Sequence, residues 1–320
     1  MSLALSFAAL LILCAPARAL PDTSSDALLR DHLWREVTSL PKGQRPAVGL
    51  ALSAGSLRGL AHVGVLQALE DEEFPVDVVA GTSAGAVLGA FYAAGVPLPR
   101  LWGIRDTLRL QSGSDYSRFN LWRLVLSEKL MSTGNMEALI REHVGDTTFD
   151  RLSKPFGCVA MDLKTGEKIV FRSGPVAPAV RASMTMPGLF EPVLYRHRYL
   201  VDGGVVDYIP VDVARYLGAD WVLASVTEGD FTHFAPTNVL STLEQVIDIR
   251  GALLSREQRK HADALIEPAV GDIQFYDIAR IGDAMDRGLT TARRHIHEVE
   301  EKYILFSLPR LMNRAGGPGR

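Results

Sequence analysis

Residues 76–85 read VDVVAGTSAG, a short apolar strand that runs directly into the pattern G-x-S-x-G. This pattern between a strand and a small-residue helix predicts a nucleophile elbow with Ser83 at the turn. Gly81 and Gly85 suit an elbow because a Cβ at either position would collide with a neighbouring strand or helix. The N–H groups of the following first helical turn would stabilise an anion that forms beside Ser83.

The composition is that of a globular protein. The 320 residues are 47% hydrophobic and 22% charged, which suits one large or two small domains with an ample core. The formal net charge is −3 with acids and bases interspersed, so nucleic-acid binding is not expected. The eight histidines are scattered singly apart from His295 and His297, and no metal site is predicted.

Residues 1–19 have the pattern of a signal peptide. An apolar run over residues 3–13 is too short to span a bilayer comfortably, and the small residues around Ala19 suit a signal peptidase. We predict cleavage after Ala19 and export, periplasmic or secreted. An uncleaved, membrane-associated anchor is the alternative, because no Lys or Arg precedes the run. Cleavage would leave Cys158 as the lone cysteine, and its apolar surroundings predict a buried small hydrophobe.

The remaining chain divides into four predicted segments. They are a lead-in with a short amphipathic helix over 20–45, a domain core over 46–230, a helical C-terminal part of the same domain over 231–312, and a disordered tail over 313–320. A β-pair is predicted over 156–161 and 169–171, and a last buried strand over 221–226. Long amphipathic helices are predicted over 239–265 and 281–303, the first with Leu240, Leu243, Val246 and Ile247 at helical spacing.

A glycine-containing loop precedes the elbow. Residues 47–53 are a near-continuous apolar run, which predicts a strand covered on both faces. Residues 54–59 form the loop, and a helix with apolar residues at helical spacing follows over 60–69. This order gives an anion-binding layout. Taken alone, Gly55 and its neighbours could equally form a tight turn with Arg58 on the surface.

Four motifs in the same order resemble the patatin-like phospholipase family. They are LALS-x-G-x-x-RGLAH-x-GVL at 50–66, GTSAG at 81–85, AS with PGLF-x-P within 182–192, and VDGGVVDYIP at 201–210. The match runs from about residue 47 to about residue 226, over half of the chain. Four ordered motifs are far more specific than any one of them.

The resemblance implies a three-layer α/β/α sandwich with a mainly parallel central sheet. It also implies hydrolysis of lipid esters by a Ser–Asp dyad without histidine, metal or organic cofactor. By motif, Ser83 is the nucleophile and Asp202 the base. The family has three consecutive glycines where this chain has only Gly55 between alanine and serine. The oxyanion-hole residues carried over are Ala54, Gly55, Ser56, Leu57 and Arg58, and the other motif residues are Gly59, Gly81, Gly85, Gly203 and Gly204.

Asp202 is placed where an apolar strand meets two glycines, the usual position for ligands in open α/β sheets. An aspartate with a pKa near ~3.9 is a weak base, and burial beside a hydroxyl should raise the pKa. The other interpretation of Asp-Gly-Gly is a simple turn. In the loop, Gly55 is expected to hold the dihedral that requires glycine, with Ser56 at a position where glycine serves only close approach.

Residues 98–131 contain more large apolar side chains than a solvated connection should. We predict a lid or lipid-facing rim there, in which Trp102, Phe119 and Trp122 make transient contact with a membrane surface. Packing of these residues on the core is the alternative interpretation.

The leading functional hypothesis is a serine acylhydrolase that cleaves a phospholipid, lysophospholipid or related lipid through an acyl-enzyme. An α/β-hydrolase triad is one alternative, because Ser83, Asp202 and then His233 or His261 occur in the order serine, acid, histidine. A catalytically silent lipid-binding scaffold is the other, with the loop disabled at Ala54 and Ser56. The sequence does not predict an oligomeric state.

Overall fold

The computed structural model describes residues 24–106, 134–232, 235–237, 239–274 and 277–315. The predicted signal peptide and most of the predicted rim lie outside these ranges, so both stay predictions. The described strands are β1 Val48–Leu52, β2 Val78–Thr82, β3 Phe156–Asp162, β4 Lys168–Phe171, β5 Val193–Tyr195, β6 Arg198–Asp202, β7 Trp221–Ser225 and β8 Ala264–Ile266. The described helices are α1 Ser25–Thr38, α2 Ala61–Asp71, α3 Ala84–Ala93, α4 Leu98–Trp102, α5 Gly134–Val144, α6 Val176–Ser183, α7 Val211–Tyr216, α8 Val239–Gln258 and α9 Ile281–Ala315.

One mixed sheet holds the eight described strands. Strands β3, β2, β1, β7 and β8 are parallel neighbours in that order. Strands β4, β5 and β6 are antiparallel to their partners at the β3 side. The predicted β-pair is therefore confirmed as β3 and β4.

Alternate residues of the central strands face two separate cores. Leu50 and Leu52 join the larger of the two, the main core, which contains residues of α2, α3, α6 and α9. Ala51, between them, joins the core that contains residues of α7. Strand β1 is buried at every position because helices cover both faces of the sheet. The three-layer α/β/α architecture and its mainly parallel sheet are confirmed, and Cys158 is buried as predicted.

Strand β3 brings the two catalytic candidates together. One edge of β3 pairs with β4, and the opposite edge pairs first with β2 and then with β6. Thr82 at the end of β2 faces Val159, and Asp202 at the end of β6 faces the next residue, Ala160. The two strands therefore meet end to end along β3, and Ser83 follows Thr82 directly into the place beside Asp202.

The C-terminal part differs from its prediction. Helix α8 ends at Gln258, and residues 264–266 form β8 beside β7 instead of continuing the helix predicted to residue 265. Residues 221–225 are therefore not the last strand. Three apolar residues are too few for hydrophobic spacing to distinguish a short strand from a helix end. Helix α9 ends at Ala315, within the range predicted as a disordered tail.

Trp102 packs at the edge of the core. Its ring contacts the main core, and its indole N–H donates a hydrogen bond to Gln67 Oε1 at 3.2 Å. Trp102 is therefore half-buried against the core, as the alternative interpretation expects, while Phe119 and Trp122 lie outside the described residues. Contact of these residues with a lipid surface stays a prediction. Within the described ranges, no helix is long and apolar enough to cross a bilayer.

Helices α2 and α9 cross with their backbones in close approach, so Gly64→Ala is expected to destabilise the fold by about 3 kcal/mol. A methyl group at Gly64 would lie 2.1 Å from Met285 O. Gly282→Ala is the matched control, because Gly282 lies in α9 with open space around it and alanine favours helix. Urea unfolding of both variants measures the difference. A Gly64→Ala protein as stable as the control would contradict this account of the crossing.

Candidate active site

Ser83 lies on a strained turn between β2 and α3. Its backbone has φ 55° and ψ −121°, in the positive-φ region that residues other than glycine rarely occupy. A methyl group at Gly85 would lie 2.3 Å from Leu52 O, and one at Gly81 would lie 2.3 Å from Gly85 O. The predicted strand-to-helix elbow is present, and both flanking glycines are needed for close approach.

The structure brings Ser83 and Asp202 into direct contact. Ser83 Oγ donates a hydrogen bond to Asp202 Oδ2 at 2.6 Å, and Gly204 N donates to Asp202 Oδ1 at 2.8 Å. Both side chains are almost completely buried. Asp202 N also donates to Thr185 O at 2.8 Å, which fixes the end of β6. The carboxylate is therefore held with one oxygen on the hydroxyl and the other on a backbone amide.

Burial raises the pKa of Asp202 to about 6, and the hydrogen bonds from Ser83 and Gly204 oppose part of this increase. A carboxylate with this pKa is a stronger base than an exposed aspartate, yet it is still mostly ionised at neutral pH. The group is thus suited to accept a proton from the hydroxyl that it contacts.

Ser183 supports the elbow from α6. Ser83 N donates to Ser183 Oγ at 3.0 Å, and the Ser183 hydroxyl donates to Val159 O at 2.6 Å. Sequence reasoning placed Ser183 within a motif but gave it no function. Because the amide of Ser83 is occupied by Ser183, stabilisation of an anion must come from other donors.

The loop before α2 supplies such donors. Ala54, Gly55, Ser56 and Arg58 line the same cavity as the dyad, whereas Leu57 packs against the main core. Among the described residues, the amides of Gly55 and Ser56 donate to no protein acceptor. Four of the five predicted oxyanion-loop residues thus line the cavity, and two of them have backbone amides without a described protein partner.

The conformation of this loop is the reverse of the prediction. Ser56 has φ 50°, in the left-handed region, and Gly55 has an extended φ of 164°. A methyl group at Gly55 would lie 2.2 Å from Thr227 Oγ1. Gly55 is therefore needed for close approach and Ser56 holds the dihedral that favours glycine. Thr227 comes from a distant part of the chain, so the sequence did not indicate this contact.

Ser56→Gly is expected to stabilise the protein by about 1 kcal/mol, because glycine relieves the left-handed strain. Ser39→Gly is the matched control: Ser39 has φ −69°, so glycine there should be neutral or destabilising. Urea unfolding compares the two. A Ser56→Gly variant less stable than the parent would show that the Ser56 side chain contributes more than its backbone costs.

His62 holds the start of the loop before α2 in place, and the sequence analysis did not predict this function. Its Nε2 lies 3.1 Å from Ser53 O, and its Nδ1 lies 2.8 Å from Ser225 Oγ. Complete burial lowers the pKa of His62 to about 4, so the ring is neutral at physiological pH. These partners require that Nε2–H donates to Ser53 O and that Nδ1 accepts the Ser225 hydroxyl. His62 thus joins the ends of β1 and β7.

Arg58 is committed to an ion pair. Its guanidinium contacts Asp248 Oδ1 at 2.8 Å and donates to Ile273 O at 3.2 Å, and it is buried. Arg58 therefore connects the loop to α8, contrary to the surface position that a simple turn would give it. Glycine also permits close approach at two further motif positions, Gly59 against Ala84 Cβ and Gly203 against Val159 O.

No histidine in the described ranges forms a hydrogen bond with Ser83 or Asp202. His261 is exposed on a 3₁₀ turn after α8, and no contact joins it to the dyad. His233 lies outside the described residues. The described geometry thus supports a dyad and offers no partner for the alternative triad.

Comparison with known proteins agrees with the motifs. The model of the family described as patatin-like phospholipase matches residues 50–215. An uncharacterized NTE family protein of Mycobacterium tuberculosis is 32% identical over 192 residues, which are 58% of this chain and 50% of that protein. Lysophospholipase nte1 of Aspergillus fumigatus is 34% identical over 183 residues, 56% of this chain and 12% of that protein.

Human GIVD cytosolic phospholipase A2 is similar in structure with a TM-score of 0.46 and 12% identity, covering 87% of this chain and 63% of that one. The chain spans about half or less of the length of the curated relatives that it matches. The family model nevertheless covers more than half of this chain, from within β1 to within α7. The chain therefore belongs to the patatin-like phospholipase family.

Proposed function

We propose that this protein is a serine acylhydrolase that cleaves acyl esters of lipids with a Ser83–Asp202 dyad. The observation that carries the proposal is the 2.6 Å hydrogen bond between Ser83 Oγ and the buried carboxylate of Asp202. The unoccupied amides of Gly55 and Ser56 at the same cavity support it, because acyl transfer needs donors for a developing oxyanion.

In the first half-reaction, Asp202 Oδ2 accepts the hydroxyl proton as Ser83 Oγ attacks the ester carbonyl carbon. The carbonyl oxygen becomes an oxyanion, which the amides of the loop stabilise. When the tetrahedral intermediate collapses, the carbon–oxygen bond to the alcohol breaks and Asp202 returns the proton to the leaving oxygen. The products of this step are the free alcohol and an acyl group on Ser83.

In the second half-reaction, Asp202 accepts a proton from water as the water oxygen attacks the acyl carbon. Collapse of this second intermediate releases the fatty acid and returns the proton to Ser83 Oγ. The raised pKa of Asp202, about 6, supports both steps because each requires the carboxylate to bind and release a proton near neutral pH.

The proposed substrate is a phospholipid or lysophospholipid. Membership of the patatin-like phospholipase family and the similarity to the fungal lysophospholipase support this class. The dyad chemistry itself requires only an acyl ester and does not select a head group.

The test is hydrolysis by the purified protein beside Ser83→Ala. Suitable substrates are a soluble short-chain nitrophenyl ester, lysophosphatidylcholine and phosphatidylcholine, with release of fatty acid as the measured product. A fluorophosphonate probe should label the parent at Ser83, which peptide mass analysis identifies. No hydrolysis of any ester together with no labelling would favour the silent scaffold over the enzyme.

A further inference from the structure

Helix α8 packs a mixed polar and apolar side against the protein and exposes three aliphatic residues to solvent. Glu244 and Ser255 are buried, whereas Val246, Ile249 and Leu253 are 57%, 37% and 51% exposed. A surface helix ordinarily buries its apolar stripe and exposes its polar one. Hydrophobic spacing alone predicts Val246 on an inward apolar face, and the structure contradicts this. The exposed aliphatic residues are therefore candidates for contact with a partner outside the chain.

The inward side of the same helix is a wall of the candidate active site. Glu244, Ile247 and Asp248 line the cavity that contains Ser83. Asp248 also holds Arg58 of the oxyanion loop. Because an α-helix with side chains is about 10–12 Å across, the exposed stripe lies only about one helix diameter from the cavity.

The exposed side of α8 also carries positive charge. Arg250 and Arg256 are exposed, and within the described parts of the chain neither forms an ion pair. The neighbouring acid, Glu257, is paired with Lys260 at 2.8 Å. Arg250 Nε donates a hydrogen bond to Val205 O at 3.2 Å, three residues after Asp202. Aliphatic residues flanked by arginines form the pattern of a helix that lies in the interface of an anionic membrane.

We propose that the outer face of α8 docks on an anionic phospholipid surface, with Val246, Ile249 and Leu253 in the interface and Arg250 and Arg256 on the head groups. A second copy of this chain fits less well, because symmetric pairing of the same face would bring its unpaired arginines together. The inference rests on the proposed function in one respect, namely that the docked membrane would supply the lipid substrate to the cavity. Docking itself requires no hydrolysis.

The experiment uses the full chain with Ser83→Ala, so that the lipid is not consumed, and measures co-sedimentation with vesicles. Vesicles of phosphatidylglycerol mixed with phosphatidylcholine are compared with pure phosphatidylcholine. Replacing Val246, Ile249 and Leu253 by serine together should lower binding to the anionic vesicles by about tenfold or more, because the buried aliphatic area is lost. The matched control replaces Leu28 and Leu29 of α1, each 57% exposed, by serine and should change binding by less than about twofold.

Arg250→Gln with Arg256→Gln should lower binding to the anionic vesicles by roughly tenfold and remove the preference for them. Circular dichroism detects whether the triple variant folds. If it does not fold, the double arginine variant still tests the proposal. The docking proposal is overturned by no binding of the parent, by equal binding to both vesicles, or by equal losses in the α1 control. Gel filtration that shows a dimer dispersed by the triple variant would assign the face to a second copy. Vesicle binding without release of fatty acid by the wild type would refute the enzyme and leave the docking surface in place.

Discussion

Ser83→Ala is expected to lower kcat by ~10⁵-fold or more, because alanine has no oxygen to form the acyl-enzyme. The fold should persist, since the Ser83 side chain is small and its one described bond is to Asp202. Fatty-acid release from lysophosphatidylcholine and from a soluble ester measures the loss. Ser173→Ala, at an exposed serine, is the control and should retain full activity. Substantial turnover by Ser83→Ala would transfer the nucleophile to another group and would overturn the proposed mechanism.

Asp202→Asn is expected to lower kcat by ~10³–10⁴-fold, because an amide in the same position cannot accept the hydroxyl proton. Asp286→Asn is the matched control at an exposed aspartate. The wild-type kcat/KM should increase with pH through about 6 and level off above it, because only the ionised carboxylate acts as base. His261→Ala should leave turnover unchanged. Loss of activity in His261→Ala with retention in Asp202→Asn would instead support the triad.

The same substitution should have the opposite effect on stability. The pKa of Asp202 is raised in the folded protein, to about 6, above its ordinary value of about 3.9. Its contribution to stability is therefore fully present below pH ~3.9 and is lost as the pH increases through about 6. At neutral pH Asp202→Asn should thus be more stable than the parent toward urea, while the control should not. If Asp202→Asn were less stable than the parent, the surrounding protein would stabilise the Asp202 charge more than its burial indicates.

The sequence predicted the parts of this molecule that depend on local chemistry. The elbow glycines, the buried run of β1 and the β3–β4 pair were all evident from short patterns, and the structure contains each of them. Asp202 was found through its motif. Strand β6 runs antiparallel and meets β2 end to end on β3. No short sequence pattern predicts this arrangement, because strand order depends on the whole sheet.

The errors came from contacts that are distant in sequence. Glycine is needed at position 55 because a Cβ there would collide with Thr227, which lies far along the chain. The roles of the loop residues therefore could not be assigned from the loop sequence alone. The exposed face of α8 was missed because hydrophobic spacing shows that a helix is amphipathic but not which side meets the protein. His62 was overlooked as a positioning residue, since a histidine on an apolar helix indicates burial without naming its partners.

The end-to-end meeting of β2 and β6 has a kinetic consequence. Ser83 and Asp202 become neighbours only after β3 has paired with both strands, and β6 lies more than a hundred residues after β2. Pairings of such long sequence separation form slowly because the intervening chain must first lose its freedom. Secondary structure and an elbow can thus exist in a partly folded chain that has no dyad. Hydrolytic competence should be among the last properties acquired during synthesis and refolding.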